Sequence, residues 1–248
     1  MNSGPAGVAV PVAVLGARGK LGSFVCQHLQ GRSDFTLVER FHSLDDWPAQ
    51  LAHSRAKVLV EATRAGLGFE HARLALEAGL CVVVATSGVT REQARELDEL
   101  ARKRGVGGIV VPNFSLGALL LMRAAEQLVR HFPAVEIVEL HHDQKRDAPS
   151  GTALETARVL RQARQAAPPP GAAPDAQWGP VPIHSVRLPG LYAHQEVLFG
   201  GPGETFTLRH DMAGPAAFGP GLILALGHVL HSTGVTFGLE SAMGFAPA

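Results

Sequence analysis

The chain has 248 residues, of which 46% are hydrophobic, and its 22 lysines and arginines equal its 22 aspartates and glutamates. This length can bury a sizeable core and hold two modest domains, and the composition is typical of a globular rather than a disordered protein. The even charge balance, without a basic stripe, argues against nucleic acid or an anionic membrane surface as a partner.

Segments that would direct the chain into a membrane or out of the cell are not predicted. The amino-terminal residues lack the positive region of a signal peptide. The apolar run near the carboxyl terminus is broken by glycine and proline and falls short of the about 20 residues of a membrane span. Cys26 and Cys81 lack CxxC spacing and are expected to be reduced core residues. We therefore expect a cytoplasmic protein with no resident metal.

The first predicted elements are a strand, a glycine turn and a helix. Residues 8–16 are a valine-rich apolar run, GARGKLG follows, and the next residues have helical spacing. The turn carries a GxxGxxG variant of the dinucleotide-binding fingerprint, whose glycines permit a tight turn and close approach to a pyrophosphate: Gly16, Gly19 and Gly22. The pattern predicts a nucleotide site where this helix begins.

A second strand, FTLVER, is predicted to end at Glu39, about 20 residues beyond the glycine turn, where an acidic side chain meets the adenosine ribose. Arg40 follows directly. A carboxylate accepts hydrogen bonds from a free ribose 2′-OH, whereas a guanidinium attracts a 2′-phosphate, so the pair predicts tolerance of both NADH and NADPH. An exposed loop cation is the alternative interpretation of Arg40.

Strands and helices then alternate, with strands predicted at 57–63, 80–88 and 107–114 and helices at 68–79, 90–105 and 116–132. In the second of these helices, Thr90 and Gln93 have capping-box spacing and Gly105 stands at the end. The alternation predicts an α/β fold, a Rossmann-type parallel sheet with helices on both faces. Ligands of such sheets bind beyond the carboxyl ends of the strands. Those ends are loops of small residues here, although ordinary turn chemistry would also select them.

The pattern changes after about residue 130. A strand at 135–141 and a helix from Ser150 to about Gln165 precede a Pro/Ala/Gly-rich loop at 167–180. Three strand-like runs without intervening helices follow: VPIHSVRL, AHQEVLFG and ETFTLRHDM. Successive short strands predict a smaller α+β domain with a mixed sheet, whose face could serve oligomerisation.

These patterns predict two domains. The dinucleotide-binding domain is expected at 1–113, rejoined by a carboxyl-terminal helix at about 216–248, of which 216–232 has the clearest helical character. The substrate-binding and oligomerisation domain is expected at 114–215.

The most informative stretch follows the predicted strand at 135–141. His141 and His142 fall at its end, and Lys145 lies just beyond. Imidazoles and an ammonium there could converge on a small anion and hand it a proton. Surface histidines are the alternative. A metal site that includes Asp143 is disfavoured because adjacent strand residues point to opposite faces.

A helix start completes this candidate site. Ser150, Gly151 and Thr152 open the helical residues, and Thr152 and Glu155 have the spacing of a capping box, which is also common helix punctuation. Free backbone N–H groups and the positive end of a helix dipole suit a carboxylate. The stretch from Glu136 to Ala157 therefore predicts a site for a dicarboxylic acid.

In chain order these motifs resemble the 4-hydroxy-tetrahydrodipicolinate reductase family of the diaminopimelate route to lysine. The resemblance extends over nearly the whole chain and rests on GxxGxxG, the Glu39-Arg40 pair, ATSG, PNFSLG, ELHHDQKRDAPSGTA and HSVRLPGLYAHQEVLFGGPGETFTLRH. It implies a homotetramer whose subunits join a Rossmann domain to a smaller substrate and tetramerisation domain. It also implies hydride transfer from NADPH or NADH to a cyclic, unsaturated imine dicarboxylate.

The resemblance implies a role for each matching residue. His141 would be the principal acid/base catalyst and Lys145 a proton donor. The substrate carboxylates would be held by His142, Lys145, Ser150, Gly151 and Thr152. The cofactor would be held by the glycine turn, the ribose pair and two strand-end loops: Gly16, Ala17, Arg18, Gly19, Lys20, Leu21, Glu39, Arg40, Ala85, Thr86, Ser87, Val111, Pro112, Asn113 and Phe114.

The chain departs from the family pattern at three places. Glu61-Ala62-Thr63 replaces DFT, the loop that begins at Ala85 replaces GTTG, and Pro215 replaces the arginine of HxAxxR. A methyl group at residue 85 could crowd a backbone that must approach the cofactor, and Pro215 cannot make the arginine's ionic contacts. A non-catalytic NAD(P)H-binding homologue and a reductase of another imino or keto acid remain the alternatives.

Overall fold

The structure is a computed structural model that describes residues 8–42, 46–51, 53–166 and 180–245. The chain falls into two compact units, Met1–Phe114 with Phe218–Ala248 and Ser115–Ala217. The Pro/Ala/Gly-rich loop predicted at 167–180 lies outside the described residues except for Pro180.

Strands and helices alternate along most of the chain. The strands are β1 Val10–Leu15, β2 Phe35–Phe41, β3 Val58–Glu61, β4 Cys81–Val84, β5 Gly107–Val110, β6 Ala134–His141, β7 Ile183–Arg187, β8 Ala193–Gly201, β9 Glu204–Met212 and β10 Gly234–Phe237. The α-helices are α1 Lys20–His28, α2 Trp47–Leu51, α3 Gly68–Glu77, α4 Arg91–Arg104, α5 Leu116–Leu128, α6 Gly151–Ala166 and α7 Gly219–His231. Short 3₁₀ helices span Pro215–Phe218 and Ser241–Met243.

The first unit is built on a six-stranded sheet with the order β10-β5-β4-β3-β1-β2, in which neighbouring strands are parallel. Every residue of β3 and β5 is buried, and so is all of β4 beyond Cys81. Strands covered on both faces carry continuous apolar runs instead of alternating ones, which accounts for their valine-rich sequences. The predicted Rossmann-type sheet is confirmed.

Helix α4 shows how local sequence sets an element in this unit. The Thr90 hydroxyl accepts a hydrogen bond from the Gln93 N–H at 3.2 Å, and the Gln93 side chain accepts one from the Thr90 N–H at 3.0 Å. Gly105 ends the helix in the left-handed region with φ 70°. Both helix ends were predicted, because a capping box and a terminal glycine act within a few residues.

The carboxyl-terminal segment was only partly predicted. Its helix is confirmed as α7, but β10 was expected to be helical and instead pairs in parallel with β5 at the edge of the sheet. The strand has four residues, Gly234–Phe237, and both Gly234 and the following Gly238 have positive φ. The Asp98 carboxylate of α4 accepts a hydrogen bond from the Val235 N–H at 2.7 Å. Pairing with distant residues, and not a local pattern, makes this segment a strand.

The second unit is an α+β arrangement around a sheet with the order β7-β6-β8-β9. β7 is parallel to β6, whereas β8 is antiparallel to β6 and β9, which confirms the predicted mixed sheet. Alternate residues of β6 and β8 form the core with α5 and α6, among them Val135, Ile137, Val197 and Phe199. The next residue in this alternation on β6 is a fully buried carboxylate, Glu139.

Candidate active site

The glycine turn lies between β1 and α1, and close packing requires two of its glycines. Gly16 has φ +86°, and a Cβ there would lie 2.4 Å from the carbonyl oxygen of Ala62. A Cβ on Gly22 would lie 2.1 Å from the carbonyl oxygen of Gly16. The glycines therefore let the turn lie against the end of β3 and let α1 begin against the turn.

The amino terminus of α1 fits a phosphate group. Its N-cap residue, Gly19, provides no capping side chain, and the first turn has no acidic residue. The first intrahelical bond runs from the Ser23 N–H to the Gly19 carbonyl at 2.8 Å. The preceding N–H groups, those of Lys20, Leu21 and Gly22, thus have no acceptor within the helix. Such donors at the positive end of a helix dipole suit a pyrophosphate.

The remaining residues of the turn differ in what they offer a ligand. The N–H groups of Gly16 and Ala17 both donate to the Phe41 carbonyl, at 2.9 and 3.2 Å. These two residues therefore hold the turn against β2. Arg18 and Lys20 are exposed cations beside the helix start.

Glu39 and Arg40, the pair predicted to meet the ribose, lie inside β2, since the strand runs to Phe41 instead of ending at Glu39 as predicted. The strand is longer because the buried Phe41 continues the ladder and its carbonyl binds the glycine turn. Glu39 is half-buried and Arg40 is exposed. Burial raises the pKa of the Cys26 thiol, more than the hydrogen bond and positive charge of Arg40 lower it.

The loops after β4 and β5 contain both buried and surface residues. Buried residues can meet a ligand mainly through their backbone, and these are Ala85, Thr86, Val111 and Phe114. Residues that reach the surface are Ser87, Pro112 and Asn113. The Ala85 N–H donates to the Glu61 carbonyl at 2.8 Å, so the departure at residue 85 lies in a backbone tied to β3.

Beneath these loops lies a carboxylate that was not singled out as a site residue, Glu61 at the end of β3. It is 0% exposed and contacts Nδ1 of His71 at 3.1 Å, the Thr63 N–H at 3.2 Å and the Thr63 hydroxyl. Burial alone would raise the pKa of Glu61, but the hydrogen bonds from His71 and Thr63 outweigh it and the pKa is lowered. Glu61 is therefore an ionised group buried at the carboxyl edge of the sheet.

In the second unit, β6 ends at His141, and a carboxylate supports this imidazole. Nδ1 of His141 is hydrogen-bonded to Oε2 of Glu139, two residues earlier on the same face of the strand. Arg187, at the end of β7, is the register partner of His141 and donates to both oxygens of Glu139, at 2.7 and 3.0 Å. The bidentate arginine and the imidazole converge on one buried carboxylate.

Burial and neighbouring charges shift the pKa of both Glu139 and His141. Burial would raise the pKa of Glu139, but the Arg187, Ser185 and His141 hydrogen bonds outweigh it and the pKa is lowered. The pKa of His141 is also lowered, first by burial and then by the positive charges of Lys145 and Arg187, although Glu139 opposes this. The positive charge of Lys145 therefore acts on the imidazole of His141.

The ammonium of Lys145 is ion-paired. Its Nζ lies 2.6 Å from Oδ2 of Asp147, whose side chain is 62% exposed, and the Lys145 hydrogen bond lowers the pKa of that carboxyl. The Lys145 N–H also donates to the His142 carbonyl at 3.2 Å, which forms the turn after the strand. His142 itself is half-buried.

The predicted capping box at the start of α6 is wrong. The helix begins at Gly151, so Thr152 lies inside it, and the capping residue is Ser150, whose hydroxyl accepts a hydrogen bond from the Ala153 N–H at 3.2 Å. Glu155 is paired with Arg158 at 2.6 Å. Serine is as good a cap as threonine, so two hydroxyl residues on either side of Gly151 left the choice of capping residue open.

With Ser150 as the capping residue, the helix start presents one buried and one exposed residue to a ligand. Ser150 is buried at 4% exposure, whereas Gly151 is exposed and a Cβ added there would meet nothing within 4 Å. The open approach to the helix terminus is therefore at Gly151.

Pro215, the third departure from the family pattern, opens a 3₁₀ turn.

Glu139, Arg187 and Asp147 were missed from the sequence. Glu139 could have been found, because residues two apart on a strand share a face and an acidic residue there can reach His141. Arg187 could not, since its position depends on the register between β6 and β7.

The described residues contain neither a candidate metal cluster nor a candidate membrane-spanning helix. In that part of the chain, no group of three histidine, cysteine, aspartate or glutamate side chains is arranged to hold a metal ion. No helix of the described ranges is long and apolar enough to cross a membrane.

Comparison with known families covers both units. The family model described as "Dihydrodipicolinate reductase, N-terminus" matches residues 10–114, and the model described as "Dihydrodipicolinate reductase, C-terminus" matches residues 117–243. The first match contains the glycine turn and both strand-end loops, and the second contains His141, Lys145 and the start of α6.

Individual relatives of this chain carry names of the same family. The 4-hydroxy-tetrahydrodipicolinate reductase of Streptococcus pneumoniae (strain Hungary19A-6) is 42% identical over 253 residues, covering 94% of this chain and 99% of that protein. That of Moorella thermoacetica (strain ATCC 39073 / JCM 9320) is 46% identical over 208 residues, covering 81% and 78%. A dipicolinate-bound dihydrodipicolinate reductase from Paenisporosarcina sp. TG-14 aligns with a TM-score of 0.81 at 34% identity, covering 94% of this chain and 99% of that one.

These matches extend over nearly the whole chain and confirm the resemblance drawn from its motifs. The chain belongs to the dihydrodipicolinate reductase family.

Proposed function

We propose that the protein catalyses the NAD(P)H-dependent reduction of 4-hydroxy-tetrahydrodipicolinate to tetrahydrodipicolinate in the diaminopimelate route to lysine. Overall the substrate gains a hydride and a proton and loses one water. The observation that carries this proposal is the supported imidazole of His141, held by Glu139 and Arg187 beside Lys145, in a chain of this family. A non-catalytic nucleotide-binding homologue would have no use for such an arrangement.

The substrate is a small dicarboxylate. Dipicolinate, a planar dicarboxylate, is bound by the similar Paenisporosarcina enzyme. In this chain the ammonium of Lys145, the imidazole of His142 and the first-turn N–H groups at Gly151 and Thr152 supply the positive groups for two carboxylates. The hydroxyl of Ser150 orders this helix start by capping it.

The cofactor is a nicotinamide nucleotide, which supplies the hydride when bound. The start of α1 fits its pyrophosphate, and the loops after β4 and β5 are proposed to hold the remainder, through Ala85, Thr86 and Ser87 and through Val111, Pro112, Asn113 and Phe114. Glu39 favours NADH and the exposed Arg40 favours NADPH, so we propose that both are used.

The proton is supplied by His141, with Lys145 as the neighbouring donor. Because Nδ1 of His141 is bonded to Glu139, Nε2 is the nitrogen that can meet the substrate. Its lowered pKa makes the imidazolium a stronger acid than an exposed histidine would be. A doubly anionic substrate favours the protonated form by its opposite charge, so protonation accompanies substrate binding.

We also propose a homotetrameric, cytoplasmic enzyme. Most residues of β9 are exposed, including Phe206, which leaves a strand and an apolar side chain for subunit contact. Cys26 and Cys81 are both free thiols, which suits a reducing compartment.

The experiment supplies purified protein with the aldolase product of aspartate semialdehyde and pyruvate and follows oxidation of NADPH and NADH by absorbance. Consumption with at least one nucleotide, inhibited by pyridine-2,6-dicarboxylate, is the expected result. No oxidation above background with either nucleotide contradicts the proposed function.

A further inference from the structure

Glu139 is a buried carboxylate whose two oxygens are both engaged. It is 0% exposed, Arg187 donates to Oε1 through Nη2 at 2.7 Å and to Oε2 through Nη1 at 3.0 Å, and His141 contacts Oε2 through Nδ1. An ionised carboxylate is only an acceptor, so Nδ1 of His141 must carry the hydrogen of this bond. The arrangement therefore selects one imidazole tautomer.

Arg187 also holds the segment that carries Lys145. Its Nε donates to the Lys145 carbonyl at 3.3 Å, and its Nη2 donates to the Asp147 carbonyl at 2.7 Å. The same guanidinium thus spans the carboxylate behind His141 and the backbone on both sides of residue 146. A planar fork with donors on several sides suits such a bridge, whereas an ammonium would not reproduce it.

Together these contacts give Glu139 and Arg187 separate tasks. We propose that they are positioning residues of the reduction: Glu139 fixes the tautomer and direction of the His141 ring, and Arg187 holds that carboxylate and the Lys145 backbone in one rigid group. This inference rests on the proposed function, and it adds two residues that act through His141 and Lys145 without touching the substrate.

The charges facing His141 explain why both partners are needed. The imidazole is affected by the charges of Glu139 on β6, Arg187 on β7 and Lys145 in the turn after β6. Lys145 is itself paired with Asp147. An uncompensated Glu139 would hold a proton firmly on the ring by raising its pKa, which opposes proton donation. Arg187 offsets that pull, so Glu139 can orient the ring while Nε2 still gives up its proton.

The same two strands offer a matched control. Nε2 of His184 on β7 lies 2.7 Å from Oε2 of Glu136 on β6, but these side chains are 56% and 54% exposed. An exposed pair of this kind has little energetic effect. Glu136→Gln therefore removes the same chemical group from the same strand without touching the supported imidazole.

The test compares Glu139→Gln, Arg187→Lys and Glu136→Gln with the wild-type protein. Glu139→Gln should lower kcat at least about tenfold while leaving nucleotide affinity unchanged, because an orienting carboxylate acts on the proton-transfer step. Loss of its charge lowers the pKa of His141 further, so kcat/KM should begin to fall at a lower pH on the alkaline side. Arg187→Lys should lower kcat and also raise KM, since the Lys145 segment loses its anchor. Glu136→Gln should change neither.

A second readout keeps this inference separate from the proposed function. Nitrogen NMR of the imidazole should show hydrogen on Nδ1 of His141 in the wild-type protein and a mixture of tautomers in Glu139→Gln, whether or not the protein turns over the substrate. Failure of the wild-type protein to oxidise nucleotide would defeat the proposed function only. A folded Glu139→Gln variant with wild-type kcat, pH profile and tautomer would overturn the positioning role, and so would wild-type protein that lacks the Nδ1 tautomer.

Discussion

The two units each contain a fully buried glutamate beside a histidine, and the pairs differ in what balances the carboxylate. Glu61 and Glu139 are both 0% exposed, and the side chains of His71 and His141 are 11% and 14% exposed. Glu139 is neutralised by a bidentate arginine, whereas Glu61 depends on His71 and on the hydroxyl and N–H of Thr63.

This difference separates a structural histidine from one that can do chemistry. His71 lies within α3, with the Trp47 ring edge-on at 5.4 Å between centroids, and it is a principal donor to Glu61. His141 lies at a strand end, and Arg187 already compensates its carboxylate. We infer that His71 stabilises the fold by supporting Glu61, whereas His141 can exchange its proton with less loss of stability because Arg187 already compensates Glu139.

Replacing His141 tests the chemical half of this comparison and should have the largest effect. We expect His141→Gln to lower kcat about 10²- to 10⁴-fold, the usual contribution of a positioned acid or base. The free energy of unfolding should change by less than about 1 kcal/mol, because Arg187 still compensates Glu139. Steady-state kinetics, nucleotide titration and denaturant unfolding measure the three quantities. Equal losses of kcat and nucleotide affinity would contradict a chemical role for the imidazole.

Replacing His71 tests the structural half. We expect His71→Leu to lower the free energy of unfolding by about 3 kcal/mol, because it leaves a buried carboxylate short of a donor. Denaturant unfolding gives the value. The loss of unfolding free energy caused by His71→Leu should be smaller when Glu61→Gln is already present, since the amide carries no charge to compensate. An undiminished loss in the double variant would assign the effect to packing against Trp47.

The pH dependence of stability sharpens the comparison further. The pKa of Glu61 is lowered from its usual 4.5, so the carboxylate binds a proton more tightly in the unfolded chain than in the folded protein. The ionised Glu61 therefore contributes to stability above the usual pKa. This contribution is lost as the pH falls through the lowered value. We expect unfolding free energy to decline with pH below about 4.5, and less steeply in Glu61→Gln. Denaturant titrations across this range measure both slopes, and parallel slopes would show that Glu61 does not titrate as the structure indicates.

The exposed pair of His184 and Glu136 should give the smallest effect. His184→Ala is expected to change the free energy of unfolding by less than about 0.5 kcal/mol and to leave kcat unchanged, since solvent screens the pair. Thermal unfolding and steady-state kinetics are sufficient measurements. A substantial loss of either quantity would mean that burial is not what distinguishes the three pairs.

Sequence predicted those features that depend on neighbouring residues. The ends of α4 follow from Thr90, Gln93 and Gly105, and the glycine turn follows from its spacing. The capping residue of α6 was misassigned because Ser150 and Thr152 are chemically equivalent caps. Both residues lie in the same helix start, so the capping residue differs from the predicted one by only two positions.

Features set by contacts between distant segments were not predictable. β10 is too short to show a period, and its identity comes from β5 and Asp98. Arg187 reaches His141 only through the register of β6 and β7. The family resemblance pointed to His141 and Lys145 as site residues, whereas the contacts of Glu139 and Arg187 with these residues became evident only from the sheet.

The ion pair between Lys145 and Asp147 has a consequence for substrate recognition. With Asp147 as its counterion, the ammonium of Lys145 would exchange one anionic partner for another in binding the dicarboxylate proposed as substrate. The exchange favours ligands that carry more negative charge than a single carboxylate. Under the proposed function, Asp147 would therefore select against monocarboxylates, since a monocarboxylate must compete with a tethered equivalent of itself, whereas a dianion has a second charge to satisfy the neighbouring donors.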